Sequence, residues 1–314
     1  MYKITIPVIV VACALLASGL FLKPLPSMSQ AYESVGVWGW KGDNAGNFLY
    51  VEDFAFDVTG NLLVTDALSA HVQVFTPNGD FIARFGGRGD EPGQFQKPEG
   101  IAISSDGHIF VSDYVTGLIQ KFDSSYRHIK SFSGYGREPG QNAEAEFMCI
   151  APNGLLYLAE AGNHRIDVFD QEGNFRFLFG EAGNEPGQFN RPEAAKADSQ
   201  GCIYVTDLGN HRVQVFTSEG RFLRQWGGEG DGPGQFRMPA GLALDRNDDV
   251  YVTEIGNNRV QKFDRMGRFL CMWEQPKAEL GAFGNLHGII VDREGFVYLA
   301  DTDNYRVQKF RQAK

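Results

Sequence analysis

Short runs of apolar residues alternate with glycine-, asparagine- and serine-containing turns from about residue 34 to the C-terminus. The unit is clearest between Pro192 and Phe236, where four β-rich runs are separated by the turns SQG, GNH and SEG. Runs of this length between turn residues predict β-strands. Each unit is therefore expected to form a four-stranded antiparallel meander.

The unit repeats at a constant interval of 47 residues. An acidic residue ends its second run, at Asp66, Asp113, Glu160, Asp207, Glu254 and Asp301. A phenylalanine ends its third run, at Phe75, Phe122, Phe169, Phe216, Phe263 and Phe310. An all-aromatic column follows, at Trp38, Phe85, Phe132, Phe179, Trp226 and Trp273. Meanders of this length stack around an axis as propeller blades, with aromatic side chains between the sheets.

The residue count predicts six blades. Residues 33–314 number 282, which is six intervals of 47. The last run, Arg306 to Phe310, is a third strand with no successor, whereas Ser34 to Trp40 is a fourth strand with no predecessor. The N-terminal strand is therefore expected to complete blade six, which closes the ring and covers a strand edge.

An uncharged apolar segment, Ile4 to Leu22, precedes the propeller. Its length nearly spans a bilayer core, which favours a retained signal-anchor helix in residues 1–23, followed by a linker at 24–32 and the propeller at 33–314. Two alternatives stay open: a cleaved signal peptide, with cleavage near Ala31, and a lipoprotein modified at Cys13. The propeller is thus expected on the extracytoplasmic (periplasmic) side, anchored to the membrane or secreted after cleavage.

Composition agrees with an all-β chain and excludes one class of partner. The sequence contains 38 glycines and 25 phenylalanines, and its formal net charge is −10. Because it has no block of lysines and arginines, we expect no nucleic-acid partner. Cys149, Cys202 and Cys271 are odd in number and scattered over the repeat, so we expect free thiols.

The repeat resembles a known family. Pro239 to Asp245 (PAGLALD) and Gly209 to Phe216 (GNHRVQVF) fit the pattern PxGIAxDxxGxxYVTDxGNHRVQVFDxxGxFL. This pattern is similar to the NHL repeat of six-bladed β-propellers, over the whole chain after the leader. The resemblance implies the fold strongly and the function weakly, because NHL propellers include protein-binding platforms, RNA-binding modules and relatives of the zinc-dependent peptidyl-hydroxyglycine amidating lyase.

The residue at the entrance of each innermost strand differs between blades. In chain order the residues are Glu52, Glu99, Glu146, Glu193, Ala240 and His287. Alternate blades lie at threefold positions, so Glu99, Glu193 and His287 are candidate ligands of a divalent cation, Ca²⁺ or Zn²⁺. Two alternatives stay open: solvated glutamates of the channel mouth, or a bound cation without catalysis. The lyases that the chain resembles place three histidines in this manner, whereas this chain has one.

Lys196 interrupts a column of small residues within the innermost strand of blade four. Blades two and five have Ala102 and Ala243 there. A lysine in such a position is costly unless it reaches a carboxylate. We therefore expect Lys196 to pair with the glutamates of the channel mouth, and a Schiff-base or general-base lysine is the alternative.

The loops after the second strand differ in blades one and two. Blades three to six carry an arginine there that is expected to pair with the acidic column, at Arg165, Arg212, Arg259 and Arg306. Blades one and two replace it with His71 and Leu118, and add Leu68, Tyr114 and Val115 nearby. These five residues form a candidate partner-binding patch, because apolar and aromatic residues favour protein interfaces. Repeat decay without selection is the alternative.

No nucleophile elbow, phosphate-binding loop or HExxH motif is present in the sequence. The function predicted from the sequence is therefore a non-enzymatic, extracytoplasmic protein-binding propeller, tethered to the membrane as an accessory or scaffold subunit of a membrane or envelope complex. Apart from the possible divalent cation, no cofactor is expected. The alternative is a metal-dependent lyase or hydrolase with its site at the channel mouth.

Overall fold

The computed structural model describes residues 32–274 and 281–313. These residues form six four-stranded sheets. The predicted anchor at 1–23 and nearly all of the predicted linker lie outside the described residues. Within 32–274 and 281–313, no helix has the length and apolar character needed to cross a membrane.

Each sheet is one blade, and every pair of neighbouring strands is antiparallel. Blade one contains β2 (Val51–Phe56), β3 (Leu62–Asp66), β4 (His71–Phe75) and β5 (Phe81–Gly86). Blade two contains β6 (Pro98–Ile103), β7 (Ile109–Asp113), β8 (Leu118–Phe122) and β9 (His128–Ser133). Blade three contains β10 (Ala145–Ile150), β11 (Leu156–Glu160), β12 (Arg165–Phe169) and β13 (Phe175–Phe179).

Blades four to six continue the same order. Blade four contains β14 (Pro192–Ala197), β15 (Ile203–Asp207), β16 (Arg212–Phe216) and β17 (Phe222–Gly227). Blade five contains β18 (Pro239–Leu244), β19 (Val250–Glu254), β20 (Arg259–Phe263) and β21 (Phe269–Trp273). Blade six contains β22 (Leu286–Val291), β23 (Val297–Asp301), β24 (Arg306–Gln312) and the N-terminal β1 (Tyr32–Trp38).

The predicted ring closure is confirmed. Strand β1 pairs antiparallel with β24, with Trp38 opposite Val307, so the first strand of the chain is the outer strand of blade six. It begins at Tyr32, two residues before the predicted start. The Tyr32 ring stacks on Trp273 of blade five at 4.0 Å between centroids. The Tyr32 and Tyr251 hydroxyls lie 3.0 Å apart. The N-terminal strand therefore holds blades five and six together as well as completing a sheet.

Aromatic side chains fill the space between blades because the facing turns carry glycine. Gly79 has a φ of +92°, and a Cβ added there would lie 2.6 Å from the Trp38 ring. Gly267, with a φ of +83°, approaches Trp226 equally closely. Only glycine combines a left-handed backbone with this approach. The aromatic column thus sets the spacing between neighbouring blades.

The arginine column has the predicted structural role. Arg212 donates from Nε to Asp207 at 2.8 Å, and Arg259 and Arg306 pair with Glu254 and Asp301 in the same manner. Arg165 in blade three lies 3.1 Å from Asp167 and 4.0 Å from Glu160. These buried ion pairs secure the loops on one face of the ring.

The cysteine prediction is confirmed for the part of the chain that the structure describes. Cys149 is buried, Cys202 and Cys271 are half-buried, and all three are free thiols. Burial raises the pKa of the Cys149 thiol to about 12, so this group is protonated at neutral pH.

Candidate functional site

The innermost strands begin at the same face of the ring on which the second strands end. Val51, the first residue of β2, lies opposite Asp66, the last residue of β3. The loops at 67–70 and 114–117 and the connections between blades lie on this face. We call it the entry face. Side chains at the start of the innermost strands consequently line the mouth of the central channel.

The four glutamates at the mouth are buried, so the expectation of solvated carboxylates is wrong. Glu52, Glu99, Glu146 and Glu193 are each less than one-tenth exposed. Lys97 lies among them, with its Nζ 2.5 Å from Glu99.

Burial changes the protonation of this ring. It raises the pKa of Glu52 and Glu146 well above the usual value, and the charges of Glu99 and Glu193 respectively add to the shift. Burial likewise raises the pKa of Glu193 to about 7, with a contribution from Glu99. Burial opposes the charge of Lys97, but its ion pair with Glu99 outweighs this and raises the lysine pKa. The ring therefore holds fewer negative charges at neutral pH than its four carboxyls suggest.

His287 is buried at the sixth position of the ring. Its Nδ1 lies 3.2 Å from the carbonyl oxygen of Asn285 and 3.2 Å from the hydroxyl of Thr302. Burial lowers the pKa of His287 to about 4, so the imidazole is neutral at pH 7. Its ring also packs near Tyr50, at 5.6 Å between centroids.

The structure does not bring the predicted metal ligands together. Across residues 32–274 and 281–313, no group of three or more histidine, cysteine, aspartate or glutamate side chains is placed to hold a metal ion. Glu99 is engaged by Lys97, and His287 by Asn285 and Thr302. Glu99, Glu193 and His287 therefore share the mouth without forming a ligand set.

Lys196 crosses the channel to a residue that sequence reasoning missed. Its Nζ lies 3.3 Å from Oδ2 of Asp53 and 3.2 Å from the carbonyl oxygen of Met148. Asp53 belongs to blade one and Lys196 to blade four, which are opposite each other in a six-membered ring. The expectation that Lys196 pairs with the glutamates at the mouth is wrong, because it lies three residues further along the strand, about 10 Å deeper.

The Asp53–Lys196 ion pair is largely buried inside the ring. Asp53 is 1% exposed, and the Lys196 side chain is 16% exposed. Burial raises the pKa of Asp53, although the charge of Lys196 acts in the opposite direction. Below the pair, a cavity of about 190 Å³ opens between apolar side chains that include Leu242 and Ile289. Lys196 is also one of the residues that line this cavity.

The five residues of the predicted partner-binding patch have different environments. Leu68 is 50% exposed and Val115 is 53% exposed. His71 and Leu118 are half-buried. Tyr114 is also half-buried, beneath Lys97 at 4.0 Å from Nζ to the ring centroid, so it belongs to the rim of the channel mouth. Leu68 and Val115 are thus the most exposed of the five residues.

Two exposed aromatic residues add to this surface and were not predicted. Trp40 is 78% exposed and lies between β1 and β2, whereas Tyr135 is 70% exposed and follows β9. Both are on the entry face. The signal was present in the sequence, because the equivalent positions in the other repeats carry no aromatic residue.

Comparison with protein-family models finds repeats of a known type. A model described as a 6-bladed beta-propeller matches residues 197–272. The NHL repeat model matches residues 95–122 and 283–310. A comparison with curated proteins finds no match.

Solved structures share the fold at low sequence identity. A streptogramin B lyase superposes with a TM-score of 0.62 at 13% identity, covering 91% of this chain and 100% of its own. A gluconolactonase from Xanthomonas campestris gives 0.64 at 12% identity, with coverage of 85% and 87%. A structural genomics protein of unknown function from Bacteroides thetaiotaomicron gives 0.69 at 15% identity, with coverage of 89% and 75%. At these identities the likeness establishes the propeller fold alone.

Proposed function

Because the chain carries NHL repeats and folds as a six-bladed β-propeller, we propose that it is a non-enzymatic binding propeller whose protein partner docks on the entry face at blades one and two. The leader suits an extracytoplasmic position next to a membrane. In that position the propeller acts as an accessory or scaffold subunit of a membrane or envelope complex.

The observation that carries this proposal is the exposure of four large apolar side chains in consecutive sectors of one face. They are Trp40, Leu68, Val115 and Tyr135, each at least half exposed. Exposed aromatic and aliphatic residues that neighbour one another on a face are typical of protein interfaces.

The direct test is the double variant Leu68→Asp with Val115→Asp. It places two charges on the docking face without touching the core, so the fold is expected to be retained and a partner recovered from detergent-solubilised membranes to be lost. The matched control is Val58→Asp with Met266→Asp, because these residues are 63% and 56% exposed in turns of the opposite face. Equal recovery of partners with both double variants would refute docking on the entry face.

The membrane position is tested separately. Intact-mass analysis of the protein recovered from membranes distinguishes a retained leader from cleavage near Ala31. A mass that begins at Met1 supports the tethered form, whereas a mass that begins at residue 32 supports the secreted form. Recovery in the cytoplasmic fraction would contradict both.

A second candidate, a metal-dependent lyase or hydrolase at the channel mouth, is favoured by one observation. Buried carboxyls with raised pKa values, such as Glu193 at about 7, are suited to acid–base chemistry. Elemental analysis and thermal shifts with Ca²⁺, Zn²⁺ or Mn²⁺ test this candidate. Stoichiometric metal that is lost on Glu99→Gln would favour it over the docking function, and absence of both metal and shifts would remove it.

A further inference from the structure

Within the described residues, blades three, four and five each hold an arginine side chain in a cradle of backbone carbonyls. In blade four, Arg212 donates to the carbonyl oxygens of Asn184, Glu185 and Gln188 at 2.7, 3.0 and 2.8 Å. Its Nε donates to Asp207. Arg165 and Arg259 make the equivalent bonds to carbonyl oxygens in blades three and five. The cradle is therefore a recurring guanidinium site built from the connection before each blade and the acidic residue that ends its second strand.

Blade two keeps the cradle and lacks the arginine. The equivalent carbonyls belong to Asp90, Glu91 and Gln94, and the equivalent acid is Asp113. Leu118 stands in place of the arginine and is too short to reach them. A cavity of about 160 Å³ remains, lined by these residues and Ser131. We call it the blade-two pocket.

Blade one also lacks the arginine, but another arginine of the same blade replaces one of its hydrogen bonds. His71 replaces the arginine there, but Arg84 of the neighbouring strand β5 donates to the carbonyl oxygen of Asp43, at 2.9 Å. Asp43 occupies the position equivalent to Asp90. The residue equivalent to Arg84 in blade two is Ser131, whose hydroxyl lies 2.9 Å from His128. Neither strand of blade two therefore supplies a cation to the pocket.

The chemistry of the blade-two pocket selects a guanidinium. Asp113 is 1% exposed, and its carboxylate accepts hydrogen bonds from four backbone amides. Among the residues that the structure describes, no cationic side chain pairs with it. Carbonyl oxygens arranged to receive two guanidinium nitrogens match a planar fork better than a compact ammonium. The exposed carboxylates of Asp90 and Glu91 at the opening favour approach of a cation.

We propose that the blade-two pocket receives an arginine side chain of the protein that docks on the entry face. This inference rests on the docking function proposed above. Val115 is 53% exposed, its amide donates to Asp113 at 3.1 Å, and the next residue, Thr116, lines the pocket. The partner's arginine would thus be flanked by apolar contacts, as is typical of anchor residues at interfaces.

The first experiment uses the full-length chain and isolated side-chain probes. Backbone amide NMR spectra are recorded with N-acetyl-arginine methylamide, with the neutral, nearly isosteric citrulline analogue and with the lysine analogue. The arginine probe is expected to shift the amides of Asp90, Glu91, Val115 and Thr116 with a dissociation constant on the order of 1 mM. Equal responses to the citrulline or lysine analogue would overturn the proposal.

Two variants fill the pocket from within. Leu118→Arg restores the residue of blades three to six, and Ser131→Arg copies the solution of blade one. Each is expected to abolish the response to the arginine probe, and Leu118→Arg to raise the melting temperature by roughly 2 to 4 °C. A persistent response in both variants would overturn the assignment of the site.

Partner capture with the same variants separates this inference from the docking function. Leu118→Arg is expected to weaken partner binding at least tenfold, because the arginine of the partner is then excluded. Loss of the partner with Leu68→Asp/Val115→Asp but full retention with Leu118→Arg would overturn the pocket inference alone. Retention with both sets would overturn the docking function itself.

Discussion

The ion pair across the channel allows a quantitative test of how the ring is held. We predict that Lys196→Met lowers the free energy of unfolding by about 3–5 kcal/mol, the usual cost of removing one partner of a buried pair. The size follows from the site: Asp53 is 1% exposed, and its Oδ1 already lacks a hydrogen-bond partner within the described structure. Without Lys196, the charged carboxylate of Asp53 keeps the hydrogen bonds from the amide of Ile101, 3.3 Å away, and from the amide of Phe54 in its own strand.

The double variant Asp53→Asn with Lys196→Met provides the reference. It removes both charges while nearly preserving shape, so we expect it to lie within about 1.5 kcal/mol of the parent protein. The single variant Asp53→Asn completes the cycle, whose coupling energy is the difference between the double-variant loss and the summed losses of the two single variants. The assay is urea unfolding of the four proteins at pH 8, with equal slopes required for the comparison.

The stability loss of Lys196→Met is also expected to depend on pH. In Lys196→Met the pKa of Asp53 is raised further, so the carboxyl is protonated in the folded state at a pH where it is charged in the unfolded chain. Its favourable contribution is complete below the unfolded pKa and is lost as pH rises through the folded value. The deficit of Lys196→Met should therefore shrink toward pH 4. A loss below about 1 kcal/mol at pH 8, or a double variant as unstable as Lys196→Met, would refute the reasoning.

Two further predictions concern the mouth and the blade spacing. Glu193→Gln should raise the free energy of unfolding by roughly 3 kcal/mol at pH 8 and leave it nearly unchanged at pH 4. The reason is that the folded pKa of Glu193 is raised to about 7, and each pKa unit corresponds to about 1.4 kcal/mol. Urea unfolding across pH checks this, and a pH-independent effect would contradict it. Gly79→Ala should destabilise the protein by about 1–3 kcal/mol more than Gly60→Ala in thermal or urea unfolding. Both glycines have a φ near +90°, but only the new methyl at Gly79 meets Trp38. Equal losses would show that the Trp38 side chain moves aside freely.

The fold was predictable from the sequence because it depends on a local repeat. The 47-residue interval determines the blade count. The last repeat lacks a fourth strand and the N-terminal segment supplies one, which determines how the ring closes. Tyr32 was missed because its contacts with Tyr251 and Trp273 join different blades and have no equivalent in the repeat.

The site was less predictable because its properties depend on depth within the ring. The sequence identified the glutamate column but not its burial. Asp53 had a recognisable signal, an acid in a column where Gly100, Gly241 and Gly288 stand. Its partner, Lys196, lies three blades away, and only a closed ring shows that these two positions face each other.

The blade-two pocket illustrates what comparison of repeats can give. The replacement of arginine by Leu118 was visible in the sequence and indicated a docking patch. The sequence does not show that the carbonyl cradle persists, since it is built from backbone atoms of Asp90, Glu91 and Gln94. The structure adds that Arg84 of blade one donates to the equivalent carbonyl oxygen, that of Asp43.

The central claim, docking of a protein on the entry face at blades one and two, is tested most directly by quantitative recovery of partners from detergent-solubilised membranes. The parent chain is compared with Leu68→Asp/Val115→Asp and with the opposite-face control Val58→Asp/Met266→Asp, all at equal folded amounts. The account predicts a stoichiometric partner that is retained by the parent and the control and lost from the entry-face variant. Recovery that is the same for all three proteins would contradict it.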